Sequence, residues 1–568
     1  MRIFNDFLAC LLVIVFVPAI SMGQKGVEGI QVAYVDPLEK VLKEQTYFPD
    51  QKAQAHVARG EVASFQFVFR NTAATTGLST VVAPIALGCN TRVEAVVSYV
   101  GYVKNGRNTP SPSRDRISSA SGWYPDPLLA LPSKDIPAFD NQPVWISVPI
   151  PLGAVPGTYQ ASIVFTGKSG GKVFRIEKTI EIKVYPARIS GQSLWVTNWW
   201  FANPDQLRQM NRGQEVPRYS DRYWEIIRVF ARNMKAYRQN IAMISPLELT
   251  SFAKKEGVYT FDFSNFDKTV GIFREEGGIQ RVEGGHLGAR LEGWDSPFGL
   301  SVPVWSGEAY KLELLPLEDS RTRDFYKQFI PAFMAHLKER NWKDGYIQHI
   351  ADEPIQSNIE SYRQISAFLY PLLEGTPVIE ANHASSLDGS IDVWVPQLNF
   401  LRDDFAFYQE QQRKGKEVWF YTCLAPQGNF ANRFVELPLL QTRLLHWINY
   451  RFGITGYLHW GYNCWGCSPW NKDPYGDVSG IIEVSCNVLP GGDTHIVYPD
   501  YMRLNSSIRL EAMRDGICDY ELLQMLGKKD PDFAKTLAGT VVAGFELYDG
   551  NVEAFRSRRI KMLEKLSD

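Results

Sequence analysis

The chain has 568 residues, which is too long for one ordinary domain and long enough to bury a core in two or more. Its formal net charge of −2 gives no indication of nucleic acid or an anionic membrane surface as a partner. A neutral ligand suits this balance better. The aromatic share of 13%, with 15 Trp and 26 Tyr, suits rings that stack on sugars as well as large cores.

The N-terminus has the pattern of a secretory signal peptide. An apolar run from Phe7 to Ile20 follows Arg2 and precedes the small-x-small sequence Ser21-Met22-Gly23. We expect residues 1–23 to be removed by cleavage before Gln24, and the protein to be exported to the periplasm or the extracellular space. The apolar run is too short for a comfortable membrane span and no later stretch reaches that length, so no integral membrane segment is predicted.

Export makes disulfides possible, and Cys464, Cys467 and Cys486 are close enough in sequence for one bridge, whose pairing the sequence leaves open. Cys464-Trp-Gly-Cys467 is the only CxxC sequence. It lacks the second pair or HxxxH that a zinc site usually needs, so we predict no metal and no cofactor.

Residues 24–188 alternate and turn like an all-β domain, and we predict a β-sandwich. The predicted strands are Val62–Arg70, Val93–Val103, Val144–Pro149, Tyr159–Phe165 and Lys178–Tyr185. Between them, the segment Thr109–Asp140 is rich in Pro, Ser and Asp. It is interpreted as a long loop that packs against the neighbouring domain, with a place at the rim of that domain's site as the alternative.

In residues 189–528, strand patterns alternate with helix patterns. This alternation favours a (β/α)8 TIM barrel. The predicted strands are Leu194–Trp200, Asn240–Ile244, Ile279–Leu287, Tyr346–Glu353, Thr376–Asn382, Asp392–Leu398, Glu417–Leu424 and Gly456–Tyr462. The clearest predicted helices are Tyr223–Arg238, Phe263–Glu275, Phe325–Arg340, Glu360–Leu373, Leu437–Phe452 and Ser507–Leu526. Residues 529–568 are expected to add helices packed on the barrel.

The fourth predicted strand ends in two adjacent carboxylates, Asp352 and Glu353, and Pro354 stops the ladder after them. An acidic pair alone also fits a helix N-terminus, which favours negative charge. In a β/α barrel, however, the carboxyl ends of the strands carry the chemistry, so we predict that this pair is catalytic.

Polar and aromatic residues at the other predicted strand ends should converge on this pair. Amides, imidazoles, a phenol and indoles around two carboxylates are typical of a carbohydrate site. The candidate substrate-binding residues are Asn198, Trp200, His286, Asn382, His383, Gln397, Tyr421, Trp460, Tyr462 and Asn463. Tyr421 and Trp199 have barrel packing as an equal alternative, while His349 fits better as a core histidine and Glu283 as a structural hydrogen-bonding partner.

Adjacent carboxylates favour one mechanism. Ordinary glycosidases use two carboxyls roughly 5–9.5 Å apart, usually from different strands, and strand neighbours start on opposite faces. A pair of neighbours suits substrate assistance, in which a 2-acetamido oxygen of the sugar is the nucleophile. Glu353 would be the acid, with a pKa raised by its enclosed setting. Asp352 would orient the acetamido group and stabilise the oxazolinium-like intermediate.

Several segments together resemble glycoside hydrolase family 123, the exported β-N-acetylgalactosaminidases whose catalytic region adjoins the DUF4091 group. They are Ala58–Ala63, Gly122–Pro127, Val196–Trp200, Glu283–Leu287, Ala351–Pro354, Asp392–Gln397, Gly453–Tyr462, Ser507–Gly516 and Asp519–Glu521. The resemblance implies a β-sandwich plus barrel, retention of configuration, and an adjacent stabiliser and acid, which map onto Asp352 and Glu353. Cys464-Trp-Gly-Cys467 is not a feature of that pattern.

The sequence therefore predicts an exported hydrolase that removes terminal β-linked N-acetylgalactosamine from a glycolipid or oligosaccharide. Trp460 is expected to form the floor under the pyranose, and Tyr462 to hydrogen-bond the sugar or its acetamido oxygen. Two alternatives stay open: a glycosidase for another sugar on the same framework, and a non-catalytic carbohydrate-binding protein on a degenerate barrel.

Overall fold

The structure, a computed structural model, describes residues 29–46, 48–49, 51–88, 91–105, 108–118, 122–465 and 489–568. The predicted signal peptide lies outside these residues, and so do Cys467 and Cys486 of the predicted disulfide. In the described ranges, no helix combines the length and the apolar character needed to span a membrane.

The N-terminal part of the chain is all β. Its strands are β1 (Ile30–Val35), β2 (Gln54–Arg59), β3 (Val62–Asn71), β4 (Thr75–Val82), β5 (Ile85–Ala86), β6 (Arg92–Val93), β7 (Val96–Asn105), β8 (Gly122–Leu129), β9 (Lys134–Ile136), β10 (Asn141–Pro149), β11 (Gly157–Ser169) and β12 (Lys172–Arg188). Ten of them form two five-stranded sheets, ordered β1-β3-β10-β7-β8 and β2-β12-β11-β4-β9.

The two sheets pack face to face because apolar residues occupy alternate positions of their strands. In β12, Ile180, Ile182 and Val184 are buried while the residues between them are more exposed. The rings of Phe67 in one sheet and Phe165 in the other have centroids 5.8 Å apart. Both rings belong to one continuous hydrophobic core, as expected for a sandwich.

From residue 195 onward, strands and helices alternate. In chain order the elements are β13 (Trp195–Asn198), α1 (Pro204–Met210), α2 (Asp221–Ala236), β14 (Ile241–Met243), α3 (Pro246–Leu249), β15 (Ser251–Lys255), β16 (Val258–Asp262), α4 (Ser264–Glu275), β17 (Arg281–Gly284), β18 (Gly288–Arg290), β19 (Phe298–Ser306), β20 (Ala309–Leu315), α5 (Ser320–Glu339), β21 (Tyr346–Gln348), α6 (Ile359–Leu369), β22 (Ile379–Asn382), β23 (Val393–Pro396), α7 (Leu398–Asp403), α8 (Phe405–Arg413), β24 (Glu417–Tyr421), α9 (Leu439–Phe452), β25 (Gly456–His459), β26 (Tyr498–Asp500), β27 (Arg503–Asn505), α10 (Ile508–Lys529), α11 (Pro531–Val541) and α12 (Val552–Ser567).

Eight of these strands form two parallel sheets, ordered β13-β25-β24-β23-β22 and β14-β17-β21. An isolated parallel bridge between Gln348 of β21 and Val378, the residue before β22, connects the second sheet to the first. In the part of the chain that the structure describes, the ladders do not form one continuous ring. The architecture is mixed β and α/β, and the (β/α)8 barrel stays a prediction. The carboxyl ends of paired parallel strands lie at the same edge, where a site can be built.

Two sequence-based expectations were wrong in detail. The segment interpreted as a long loop contains β8, an edge strand, and an edge position is where a β-sheet tolerates prolines such as Pro125 and Pro127. The strand predicted to reach Glu353 ends at Gln348, so the acidic pair lies in the turn that follows β21.

The predicted contact of that segment with the second part of the chain is confirmed. Asp126 of β8 is buried and accepts two hydrogen bonds from the guanidinium of Arg509 in α10, at 2.8 and 2.7 Å. Arg509 also donates to the carbonyl oxygens of Gly492 at 2.9 Å and His495 at 3.0 Å. A strand of the sandwich is thus connected through one arginine to the loop that follows residue 488.

Candidate active site

The turn after β21 places both carboxylates of the acidic pair in one site. Glu353 has a φ of +50°, in the left-handed region that non-glycine residues avoid. The guanidinium of Arg290 donates to the carbonyl oxygens of Asp352, at 3.1 Å, and of Glu353, at 2.6 Å. Such a backbone costs on the order of 1–3 kcal/mol, so the hydrogen bonds from Arg290 are part of what maintains it.

The Asp352 side of the site is backed by a histidine and a buried acid. His286 Nε2 lies 3.7 Å from Asp352 Oδ1 and 3.5 Å from Glu380 Oε1. Glu380 is fully buried in β22, and its other oxygen accepts hydrogen bonds from the backbone amides of Ile350 and Ala351, each at 3.0 Å. His286 therefore lies between the acidic pair and a fixed buried carboxylate.

Behind Glu380 lies a second histidine, which contacts two carboxylates. His349 lies 2.7 Å from Glu380 through Nδ1 and 2.6 Å from Glu283 through Nε2. Burial opposes the imidazolium, but the two carboxylates outweigh burial and raise the pKa of His349 to about 10. Glu283 also accepts from Thr197 Oγ1 at 2.6 Å and from Trp199 Nε1 at 2.7 Å. His349 and its two buried carboxylates are thus paired with one another, as the burial of charge requires.

The Glu353 side of the site offers hydrogen-bond donors instead of acids. The hydroxyl of Tyr421 donates to Glu353 Oε1, and His383 Nε2 lies 3.3 Å from the same oxygen. His383 Nε2 is also 2.8 Å from the Tyr421 hydroxyl, whose proton is directed to the carboxylate. Gln397 Oε1 lies 3.3 Å from that hydroxyl. Predicted residues of three strand ends therefore meet at Glu353.

These surroundings act on the two carboxyls in opposite directions. Burial and then repulsion from Glu353 raise the pKa of Asp352 to about 6. Burial also opposes ionisation of Glu353, but the hydrogen bond from His383, its charge, the hydroxyl of Tyr421 and the charge of Arg290 together lower the Glu353 pKa below its usual value. The predicted rise in the pKa of Glu353 is wrong, because donors surround the carboxylate and lower its pKa.

The end of β25 contributes Trp460, which is half-buried. Its indole Nε1 lies 3.2 Å and 3.3 Å from the two carboxylate oxygens of Asp493. Asp493 is fully buried, and burial raises its pKa to about 7. Trp460 packs in the same hydrophobic cluster as Tyr421 and Trp199, so it is fixed near the strand ends. Its predicted contact with a sugar stays a prediction.

Other predicted residues are turned to protein partners. Asn198 is buried and forms hydrogen bonds with Gln239 and Arg433. Trp200 donates its indole N–H to the carbonyl oxygen of Met243 at 2.9 Å.

Two further asparagines are also bound to the protein itself. The amide of Asn382 donates to the Tyr408 hydroxyl at 3.1 Å and to the carbonyl oxygen of Ala384 at 3.2 Å. Asn463 exchanges two hydrogen bonds of 2.8 Å with the Phe201 backbone.

The contact predicted for Tyr462 is contradicted by the structure. Its side chain is fully buried, and its hydroxyl donates to Asn233 of α2 instead of opening to the site. Trp465 is fully buried as well.

Sequence reasoning missed Glu380, Arg290 and Asp493. Glu380 carried a readable signal, since it is a carboxylate within an apolar predicted strand, where charge is rare unless paired. Arg290 lies just beyond the third predicted strand, and Asp493 lies in a loop with no strand pattern. Their roles depend on partners distant in sequence.

One cluster could in principle hold a metal ion, since donor atoms of His286, His349 and Glu380 lie within 4.8 Å of one another. A metal needs a deprotonated nitrogen, however, and both ring nitrogens of His349 face carboxylates at hydrogen-bonding distance. With its pKa at about 10, His349 donates from both nitrogens, and the donor set does not suit a cation.

Comparison with known proteins decides the family. Residues 200–526 match the catalytic domain of glycoside hydrolase 123. The chain belongs to glycoside hydrolase family 123. The match covers more than half of the chain and includes the acidic pair, so the resemblance inferred from the sequence is confirmed and the protein is a glycosidase.

One solved structure shares the fold over nearly the whole chain. A family 123 glycoside hydrolase from Clostridium perfringens, described for its hydrolysis of glycolipid glycans, aligns with 95% of this chain and 97% of its own. The TM-score is 0.69 at 15% identity, so this likeness concerns the fold. A β-glucuronidase from Parabacteroides merdae covers 83% of this chain and 51% of its own at 11% identity, with a TM-score of 0.27. A search of curated sequences finds no match.

Proposed function

We propose that this family 123 enzyme removes terminal β-linked N-acetylgalactosamine from glycans with retention of configuration, the 2-acetamido oxygen of the sugar serving as nucleophile. The observation that carries the proposal is the acidic pair itself. Asp352 and Glu353 are consecutive, they repel each other across one site, and each has its own set of partners. Among the residues that the structure describes, neither partner set includes a third carboxylate placed to act as an external nucleophile.

The two carboxyls then have distinct roles. Asp352, steadied by His286, accepts the acetamido N–H and stabilises positive charge as the acetamido oxygen attacks the anomeric carbon. Glu353 gives a proton to the glycosidic oxygen as the bond to the leaving sugar breaks. Water later opens the oxazolinium ring, with Glu353 taking back a proton, so that configuration is retained.

The pKa directions give this scheme an order of events. The first proton of the pair rests on Asp352, whose pKa is raised to about 6, while the pKa of Glu353 is lowered and its carboxyl is ionised. An acetamido N–H that binds Asp352 favours its ionised form. Binding of the correct sugar thus moves the shared proton toward Glu353, where the leaving group needs it.

The net charge of the chain and its similarity to the Clostridium enzyme support the proposed substrate class. The chain carries a formal net charge of −2, which suits a neutral glycan. The Clostridium relative is described with glycolipid glycans, so we extend the proposal to glycolipid or oligosaccharide chains that end in β-linked N-acetylgalactosamine. The apolar segment Phe7–Ile20 supports export, which would bring the enzyme to such glycans.

We also infer that the two parallel sheets are the halves of a (β/α)8 barrel. On one side they meet at the bridge between Gln348 and Val378. On the other side they meet at Asn240, the residue before β14. Its side chain accepts a hydrogen bond from Val196 N of β13 at 2.8 Å and donates one to Leu194 O at 3.0 Å. Both seams are therefore held by hydrogen bonds.

A panel of aryl β-glycosides tests the proposal. N-acetylgalactosaminide should be hydrolysed far faster than galactoside or glucoside, because only the acetamido sugars carry the nucleophile. A thiazoline that mimics the oxazoline of the same sugar should inhibit competitively. Equal turnover of galactosides and N-acetylgalactosaminides would refute assistance by the substrate, and preference for N-acetylglucosaminide would change the sugar while keeping the mechanism.

A further inference from the structure

An exposed tryptophan borders the acidic pair. Trp294 lies in the loop between β18 and β19, and 51% of its surface is exposed. The loop itself is fixed, because the carbonyl oxygen of Trp294 accepts from Arg290 Nε at 2.8 Å and from Asn358 Nδ2 at 3.2 Å. The side chain of neighbouring Asp295 accepts from the hydroxyl of Ser357 at 3.0 Å. A single exposed aromatic residue is ordinary, so a functional role for Trp294 depends on where it lies.

Arg290 connects this loop to the acidic pair. Its Nε donates to Trp294, while its two terminal nitrogens donate to the carbonyl oxygens of Asp352 and Glu353. The guanidinium carbon also lies 3.8 Å from the centre of the Trp294 ring system and covers part of it. The position of the indole relative to the backbone of the acidic pair is therefore set by one rigid planar group, and catalysis depends on such fixed positioning.

The tryptophan lies on the Glu353 side of the pair. Its ring centroid is 6.3 Å from that of His383, and His383 Nε2 is 3.3 Å from Glu353 Oε1. Under the proposed function, Glu353 protonates the glycosidic oxygen, so the leaving sugar must lie on this side. The Asp352 side is taken up by His286 and the buried carboxylate Glu380 behind it.

We propose that Trp294 forms the subsite for the leaving sugar, the residue to which the terminal N-acetylgalactosamine is attached. The ligand would be a neutral pyranose, whose apolar face stacks on the uncovered part of the indole. Arg290 would support the ring from its other face. This inference rests on the proposed function for the direction in which the leaving group departs, and it predicts that the enzyme favours glycans over simple glycosides.

The experiment compares two substrates with the same terminal sugar and different leaving groups. One is a disaccharide of N-acetylgalactosamine linked β to galactose, and the other is the corresponding glycosyl fluoride, whose leaving group has no ring. Trp294→Ala should lower kcat/KM for the disaccharide by about tenfold to a hundredfold, by analogy with stacking measured on bases. The loss for the fluoride should be far smaller, and Trp294→Phe should restore most of the disaccharide activity.

Tyr501→Ala is the matched control. Tyr501 is also an exposed aromatic residue, 40% accessible, and the guanidinium groups of Arg212, at 4.2 Å, and Arg222, at 6.0 Å, lie over its ring. Both arginines lie outside the site. This variant should leave both substrates unaffected. Equal losses of the two substrates in folded Trp294→Ala, or no loss of either, would overturn the subsite.

A binding measurement separates this inference from the proposed function. If the wild-type enzyme hydrolyses neither substrate, the proposed sugar is wrong. Calorimetric titration of lactose into the wild-type protein and into Trp294→Ala then tests the subsite directly, because lactose supplies a neutral pyranose without the acetamido group. Weaker binding to the variant would support the subsite, and equal binding or none to either protein would overturn it.

Discussion

The two sides of the acidic pair differ in what stands behind each carboxyl. Behind Asp352 lies a row in which imidazoles and carboxylates alternate: His286, Glu380, His349 and Glu283 follow one another at hydrogen-bonding or near-contact distances. Around Glu353 the neighbours are donors, among them Tyr421, His383 and Arg290.

This difference shows that position in the chain does not decide the role of a carboxylate. Two acidic residues, one peptide bond apart, have pKa values moved in opposite directions by partners from other strands. The carboxyl proposed as acid is the one ionised at rest. Separation of pKa values by environment is the usual way in which one site obtains both an acid and a base.

The largest expected effects come from the two carboxyls. Glu353→Gln should lower kcat/KM for a natural glycoside by about 10²–10⁴-fold, because the leaving oxygen loses its acid. A dinitrophenyl glycoside, whose leaving group needs little protonation, should be largely spared. Asp352→Asn should slow both substrates, since the acetamido group is needed for either. Losses from Glu353→Gln that are identical across leaving groups would show that the acid is misassigned.

Dependence on pH is the next largest effect. Because the pKa of Asp352 is raised to about 6 and Glu353 is ionised, the pair holds one proton below about pH 6 and none well above it. For a natural glycoside, kcat/KM should therefore fall about tenfold per pH unit on the alkaline side. A dinitrophenyl glycoside should keep its activity there. An alkaline limb shared by both substrates would mean that the limb reports another group.

Smaller shifts of that alkaline limb should follow from changing either side of the pair. Glu380→Gln removes a negative charge that raises the pKa of Asp352, so the limb should move to lower pH. Tyr421→Phe removes a donor that lowers the pKa of Glu353, so the limb should move to higher pH. We expect about 0.5–1 pH unit in each case, measured from kcat/KM profiles. Shifts in the same direction would contradict the comparison.

Glu380→Gln is also expected to lower the free energy of unfolding, so a control must separate this effect from the shift of the alkaline limb. The substitution leaves His349 with one carboxylate instead of two, and losing half of a buried pair typically costs about 3–5 kcal/mol in the free energy of unfolding. Tyr362→Phe removes a 3.1 Å hydrogen bond to the same carboxylate but keeps its charge. Thermal melts should show a smaller loss for this control, and its alkaline limb should stay in place.

Periodicity predicted the elements well and the contacts poorly. The helix predicted at Tyr223–Arg238 is observed as Asp221–Ala236, because an apolar face at helical spacing is a local property of the chain. The strand β8 was missed, since its prolines hide the strand pattern that an edge position permits. Extended backbone at a sheet edge is decided by neighbours distant in sequence.

The candidate site shows the same limit. The sequence identified Asp352, Glu353, His286, His383 and Tyr421, all of which meet in the structure. Being near a strand end was enough to select them. It was not enough to predict that Tyr421 contacts Glu353 while Tyr462 contacts Asn233. The direction of a side chain past a strand end depends on the loop that follows.

The hydrogen bonds between Asp126 and Arg509 have a consequence for how the molecule unfolds. The aspartate belongs to the β-rich N-terminal part, and the arginine holds the carbonyl oxygens on either side of Asp493, the partner of Trp460. Deleting the N-terminal part would leave a guanidinium without its carboxylate in a buried position. The two parts should therefore denature in a single cooperative transition, and catalytic fragments cut at residue 189 should be poor starting points for engineering.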